Sequence, residues 1–325
     1  MRVSKNLLLA VTGIALWVWV IVHAGPSVVV HQLRALKVAL PIVFALSLVR
    51  LLLQSLTWLA AIKSEGLEVR MSRLAAVRLA SQGMGYLTVF GPLISEPMKI
   101  NLLRTPVEAT ATATFLDNGV YWFTSALAGI AGCVSFSLMR AQASVSTLAF
   151  AAVFICMLFF IVTRKSFLSA AAVKLGGRTP SWLTRSAKVE SAIREVRVQK
   201  PELVGYLFWL DVICQLLLIL EVAVVLWSLR LPLHLLTLLA IEGLTRGVKI
   251  VTGFMPARLG ADEGGAMSAF AASGFSPALG LTLALTRRIR DLLWALVGLG
   301  WLAWKSHVRK ESDIFIAEGV LACKS

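Results

Sequence analysis

Glu242, Arg246 and Lys249 fall at i, i+4 and i+7 in an otherwise apolar stretch, so a helix would carry all three on one face. A charge at mid-bilayer costs on the order of 3 kcal/mol on insertion scales. Charges kept at that cost usually face the bundle interior and mark an ion, proton or ligand path. The chemistry open to such a face is electrostatic: cations that hold an anionic group, and a carboxylate that positions them or carries a proton. The plainer alternative is a Glu–Arg pair that neutralises itself so the helix can insert. Ser47, Arg50, Gln54 and Thr57 form a second polar stripe, and Asp117 with Tyr121 and Asp211 with Gln215 are further i, i+4 pairs. For Arg50 and Asp211 the alternative is interhelical hydrogen bonding. Arg287, Arg288, Arg290 and Asp291 interrupt the last hydrophobic stretch, where Asp291 can reach back to Arg287 or Arg288. That cluster can also be read as the cytoplasmic flank of a short final span.

Two stretches combine a Gly/Pro break with carboxylates. One runs from about Leu74 to Leu103 and contains SQGMGYLTVFGPLISEPMK, with Gly91, Pro92, Glu96 and Lys99. The other runs from about Gly253 to Phe275 and contains GFMPARLGADEGGAMSAF, with Pro256, Arg258, Gly260, Asp262, Glu263 and Gly264. Each has an apolar approach, a break, an acidic residue and a short apolar run too brief to cross. That pattern predicts re-entrant or broken helices, which membranes tolerate only where protein or water covers the freed backbone. Breaks at corresponding places in two halves point to a transporter's binding site. The register here is rough, so an internal repeat and a coincidence both stay open. Glu96, Asp262 and Glu263 can alternatively cap half-helix starts, where carboxylates meet unpaired N–H groups.

The elements that must position these residues follow from composition. The chain has 325 residues, 58% hydrophobic and 15% charged, with mean hydropathy +0.81. Soluble domains carry about 25% charged residues, so a soluble globule of this size is excluded. Apolar runs predict spans at about 6–25, 36–62, 113–138, 147–163, 203–229, 234–255 and 278–304. Each is helical by expectation, because backbone groups in hydrocarbon must pair within their own segment. The fold expected is an all-α, polytopic membrane bundle of about seven or eight spans over 1–310, with a short polar tail over 311–325. The first run follows Arg2 and Lys5 without a convincing cleavage site and reads as an uncleaved anchor. Basic residues at Lys63, Arg70 and Arg73 and throughout 164–200 put those loops and the N-terminus in the cytoplasm.

The net charge of +15 gathers in these loops and not on an aromatic-interleaved face, so it reads as topology and lipid contact, not nucleic-acid binding. The 164–200 loop reads as a solvated surface touching lipid headgroups. Cys133, Cys156, Cys214 and Cys323 lack metal-ligand spacing, and the four histidines sit at span ends. The chain has no Walker loop, no H-E-x-x-H and no G-x-S-x-G. No catalytic residue, metal site or cofactor is therefore expected.

The stretch from Ile241 to Leu299, IEGLTRGVKIVTGFMPARLGADEGGAMSAFAASGFSPALGLTLALTRRIRDLLWALVGL, resembles the C-terminal signature of a known family. That is the flippase-like transmembrane family related to the membrane half of lysylphosphatidylglycerol synthases. Pro256, Gly260, Glu263, Gly264, Gly274, Arg288 and Asp291 are the matching positions, and Gly91, Pro92, Glu96 and Lys99 occupy a weaker first motif. The wording ADEGG and RRIRDLLW is closest to a subgroup associated with hopanoid biosynthesis. Ala257 and Arg258 stand where the family more often has glycine or another small residue, and the cation at Arg258 is the departure. The resemblance implies a membrane protein of the bacterial inner membrane that moves an amphipathic lipid between leaflets, with an anionic headgroup or of hopanoid type. Arg246, Lys249, Arg258 and Arg288 would hold an anionic head such as phosphate, and Glu263 and Asp291 would position them or carry a proton. Two alternatives stand beside it. One is a non-transporting scaffold for a lipid-biosynthetic enzyme, docking through the 164–200 loop. The other is an intramembrane enzyme with Glu263 or Asp262 as base.

Overall fold

A computed structural model describes residues 36–87, 91–140, 145–162, 195–196, 198–252, 255, 258 and 260–322. The expected anchor at 6–25, nearly all of the basic loop and Pro256 lie outside the described residues. Those described contain nine helices and no strand. They are α1 (Ala39–Ser64), α2 (Met71–Leu87), α3 (Gly91–Leu103), α4 (Val107–Arg140), α5 (Val145–Val162), α6 (Pro201–Ser228), α7 (Leu235–Val251), α8 (Ala261–Ala272) and α9 (Pro277–Ala322). Among the described residues α1, α4 and α6 are long and apolar enough to cross a membrane. The protein is an all-α membrane bundle.

The two predicted breaks fall between short helices. With a rise of about 1.5 Å per residue, the 17 residues of α2, 13 of α3 and 12 of α8 are each shorter than a bilayer's hydrocarbon core. Pro92 occupies the first turn of α3, where a missing N–H is harmless. Pro97 sits inside the same helix. Gly260 takes φ +77°, a left-handed conformation that a β-carbon would strain, and α8 starts immediately after it. Gly264, expected to contribute to the break, lies inside α8 instead. The last hydrophobic stretch, expected to end near residue 304, continues as one helix to Ala322 through most of the expected tail.

Packing follows a pattern that repeats. α1 packs on α6; α4 packs on α7 while α9 packs on α2; and the short pairs α2–α3 and α7–α8 each form a hairpin-like unit. Exchanging α1–α4 with α6–α9 maps these pairings onto one another, as an internal two-fold repeat would. α5 lies outside that scheme, against α4 and α7. Small residues permit the close crossings. A β-carbon on Gly132 of α4 would lie 2.5 Å from both Gly243 Cα and the Leu239 carbonyl oxygen of α7. On Gly83 of α2 it would lie 3.0 Å from the Ala295 carbonyl oxygen of α9.

Two apolar clusters hold the halves together. One joins Trp58, Leu74, Leu103, Leu116 and Leu207, and the other joins Val43, Val222, Ile241, Phe270 and Leu283. Outward-facing apolar residues complete the picture: Trp209 and Leu216 on α6 and Leu296 on α9 are more than half exposed. In water such a surface would drive association, and in a bilayer it is the lipid-facing side.

Candidate functional site

α7 brings Glu242 and Arg246 into the bundle as the spacing predicted, with Arg246 Nη2 2.8 Å from Glu242 Oε1. The pair is one link of a longer chain. Arg246 Nη1 donates to Gln215 Oε1 at 2.7 Å and to Ser125 Oγ at 2.9 Å. Arg287 of α9 donates to Glu242 Oε2 at 2.6 Å and to Glu221 Oε1 of α6 at 2.9 Å. Glu221 Oε2 pairs in turn with Arg290, whose Nη2 donates to Asp291 Oδ1 at 2.8 Å. Three guanidinium groups and three carboxylates thus alternate, which is how buried charge becomes tolerable. Asp291 pairs with Arg290 and not with Arg287 or Arg288 as its spacing suggested. The arginine cluster is also no solvated flank, since Arg287, Arg288 and Arg290 are all buried.

A second cluster joins α2, α3 and α4. Arg78 Nη2 lies 3.0 Å from Asp117 Oδ2, and its guanidinium stacks over the Trp58 ring. Asp117 therefore answers Arg78, not Tyr121. Lys99 Nζ lies 2.7 Å from Glu96 Oε1, while Asn118 donates to Glu96 Oε2 at 2.6 Å. Arg73 donates to the Leu103 carbonyl at 2.7 Å and ties the far end of α3 to α2. At the other break Glu263 folds back on its own helix start. Its Oε2 accepts the Gly260 N–H at 2.9 Å, and its Oε1 lies 2.7 Å from Arg288 Nε. That is half of a capping box, the half a glycine N-cap can take part in. Glu263 is fully buried, with Oε2 held by a hydrogen bond and Oε1 at ion-pair distance from Arg288. It pins α8 to α9 and faces no cavity. Arg258 Nε and Asp262 Oδ2 pair nearby at 3.1 Å.

Between these clusters lies a cavity of about 370 Å³. Arg50 of α1, Arg78 of α2, Lys99 of α3 and Arg258 before α8 bring four cations to its wall, against the carboxylates of Glu96 and Asp291. Tyr86, Trp122 and Trp294 supply aromatic surface, and Trp294 donates to Ser47 Oγ at 2.9 Å. A much smaller pocket of about 10 Å³ adjoins it, lined by Lys249, Asp262, Arg287 and Arg288 among others. Tyr86 and Asp291 line both.

Of the residues expected to form a groove, Glu96, Lys99, Arg258, Asp291 and Gly91 do line the cavity. Lys249 and Arg288 line the small pocket. Glu242 and Arg246 line neither and serve the buried network, while Glu263 lines neither and pairs with Arg288. Sequence reasoning passed over Arg78 and Glu221. Glu221 is a lone carboxylate in the run LLLILEVAVV, the same signal that singled out Glu242. Arg78 follows Arg70 and Arg73 so closely that it merges with a loop's basic residues.

The model of one protein family, described as the lysylphosphatidylglycerol synthase TM region, matches residues 7–300. The chain belongs to that family. The match covers all but the last helical turns and unites both breaks, the buried network and the cavity in one family unit. Family membership places the protein in a membrane and ties its function to membrane lipids. No curated protein and no solved structure matches the chain. The hopanoid-associated subgroup thus gains no support beyond the motif wording.

Proposed function

We propose that this member of the lysylphosphatidylglycerol synthase transmembrane-region family moves an amphipathic lipid with an anionic headgroup between the leaflets of the bacterial inner membrane. The observation that carries this reading is the cavity wall, where four cations from four segments face two carboxylates. Arg78 is paired with Asp117, Lys99 with Glu96, Arg258 with Asp262 and Asp291 with Arg290, which leaves Arg50 as the cavity's net positive charge. A positive cavity inside an apolar bundle favours an anion, and guanidinium forks suit phosphate or carboxylate oxygens. Only the head needs this polar route. The apolar tail stays in lipid, which removes most of the barrier to crossing. On this reading the protein is a carrier and not an enzyme, its partners are lipids, and its N-terminus is cytoplasmic.

The test is leaflet exchange of fluorescent lipids in proteoliposomes. The informative substitutions are Arg50→Gln and Arg258→Gln, which alter the cavity wall while leaving the buried network paired. Anionic lipid should exchange faster than zwitterionic lipid, and each substitution should slow it. Exchange that is absent for every headgroup with folded protein, or indifferent to both substitutions, sinks the proposal.

A further inference from the structure

Seven cations line the two cavities: Arg50, Arg78, Lys99 and Arg258 in the large one, and Lys249, Arg287 and Arg288 in the small one. Five have a carboxylate within ion-pair distance: Arg78 with Asp117, Lys99 with Glu96, Arg258 with Asp262, Arg287 with Glu221 and Glu242, and Arg288 with Glu263. Among the described residues Arg50 and Lys249 have none, and neither makes a hydrogen bond through its side chain. One such cation therefore lies in each compartment. Tyr86 and Asp291 stand at the boundary, and the Arg258–Asp262 pair bridges it, with Arg258 on the large side and Asp262 on the small.

A cation with no ion-pair partner, beside cavity cations that are each paired with a carboxylate, is held at a cost that a bound anion would remove. Two of them on either side of one partition amount to two positions for one anion. We infer that Arg50 and Lys249 are successive stations for a phosphate-bearing lipid headgroup, which passes between them by displacing Tyr86 and parting Arg258 from Asp262. The inference rests on the translocation reading above and assigns its substrate class and its route. At about 10 Å³ the second compartment holds about one water and no phosphate. In this state the first station is open and the second closed. Arg78 adds to the first, for its Nε and Nη1 have no hydrogen-bond partner although the residue is buried. Asp291 repels the anion at the boundary and keeps the two stations distinct, its own charge held by Arg290.

The full-length protein, purified in detergent and in phosphatidylcholine vesicles, gives the test two separable readouts. The first is binding of dioctanoyl phosphatidic acid, with inorganic phosphate as competitor. The second is leaflet exchange of fluorescent phosphatidic acid against fluorescent phosphatidylcholine. Arg50→Gln should weaken phosphatidic acid binding about tenfold or more, the loss expected on removing one charge-assisted contact. Lys249→Gln should cost exchange more than binding, and Lys249→Arg should recover part of the exchange. Tyr86→Trp, which fills the boundary from the large side, should also lower exchange more than binding and serves if Lys249→Gln does not fold. If wild type exchanges phosphatidic acid but Lys249→Gln and Tyr86→Trp match it, the stations are wrong and the translocation reading stands. If wild type exchanges no lipid, the translocation reading falls. Unchanged binding in Arg50→Gln then removes the first station as well. Inorganic phosphate binding as tightly as the lipid would make the ligand a free anion and overturn the headgroup assignment.

Discussion

Replacing Glu221 by Gln tests whether the buried charge network holds the bundle together. The carboxylate is 2% exposed and lies between two guanidinium groups, one on each oxygen. Breaking a buried ion pair by removing one partner costs about 3–5 kcal/mol, because the other charge is left uncompensated. Here each arginine retains a second carboxylate, Arg287 in Glu242 and Arg290 in Asp291, and the amide oxygen of Gln still accepts one bond. The lower end, about 3 kcal/mol, is the expected loss. Arg287→Met should cost a similar amount, since it takes one partner from each of Glu221 and Glu242, which then keep only Arg290 and Arg246. The double substitution should fall short of the sum by about 1–3 kcal/mol, the coupling expected of residues in one network. Reversible SDS-driven unfolding in mixed micelles measures all four proteins of the cycle. A loss below about 1 kcal/mol for Glu221→Gln, or strict additivity, would refute the claim that the network is structural.

The crossing of α4 and α7 makes Gly132→Val a backbone problem: its β-carbon would lie 2.5 Å from Gly243 Cα. A loss of about 2 kcal/mol or more is expected by analogy with overpacked cores, read as a lowered unfolding midpoint, and a neutral result would mean the helices can separate freely. At the end of α1, burial pushes the Glu65 carboxyl above its ordinary range, only partly opposed by Lys200, with Glu195 adding to the rise. A raised folded-state pKa means that stability is fully present below the unfolded pKa and is lost as pH rises through the folded one. Glu65→Gln should therefore match wild type in acid and exceed it at neutral pH. Parallel pH profiles of the two thermal midpoints would contradict this.

The bundle was legible because hydrocarbon leaves few options. Long apolar runs must be helices, and the expected spans at 36–62 and 203–229 match α1 and α6 to within a few residues. The breaks were legible from Gly and Pro, and the cavity lies between the helices they interrupt. What the sequence hid were partners remote along the chain. Spacing pairs Glu242 with Arg246, but nothing local says that Arg287, 45 residues further on, takes its second oxygen. Helical spacing misled locally as well, assigning Asp291 to Arg287 or Arg288 when the adjacent Arg290 reaches it. Glu263 is a motif position whose charge invites a functional role, and in the structure it makes the helix-cap contact that its place at a helix start also suggested.

The division of labour between the two kinds of charge follows from how each is solvated. A guanidinium inside a bundle needs either water or a carboxylate, and Arg287 and Arg290 have carboxylates supplied by helices they must stay packed against. Those contacts lock α6, α7 and α9 into one register, so they cannot open for a ligand without breaking several pairs at once. Arg258 and Asp262 differ: Arg258 precedes α8, Asp262 lies in its first turn, and both are partly exposed. Exposed pairs are worth about 0–1 kcal/mol, and this half-buried one costs less to part than the fully buried pairs of the network. A rearrangement in this bundle should therefore be sought at the Arg258–Asp262 pair, and not in α8 itself, which Glu263 pins to α9, or along the helices joined by Glu221 and Glu242.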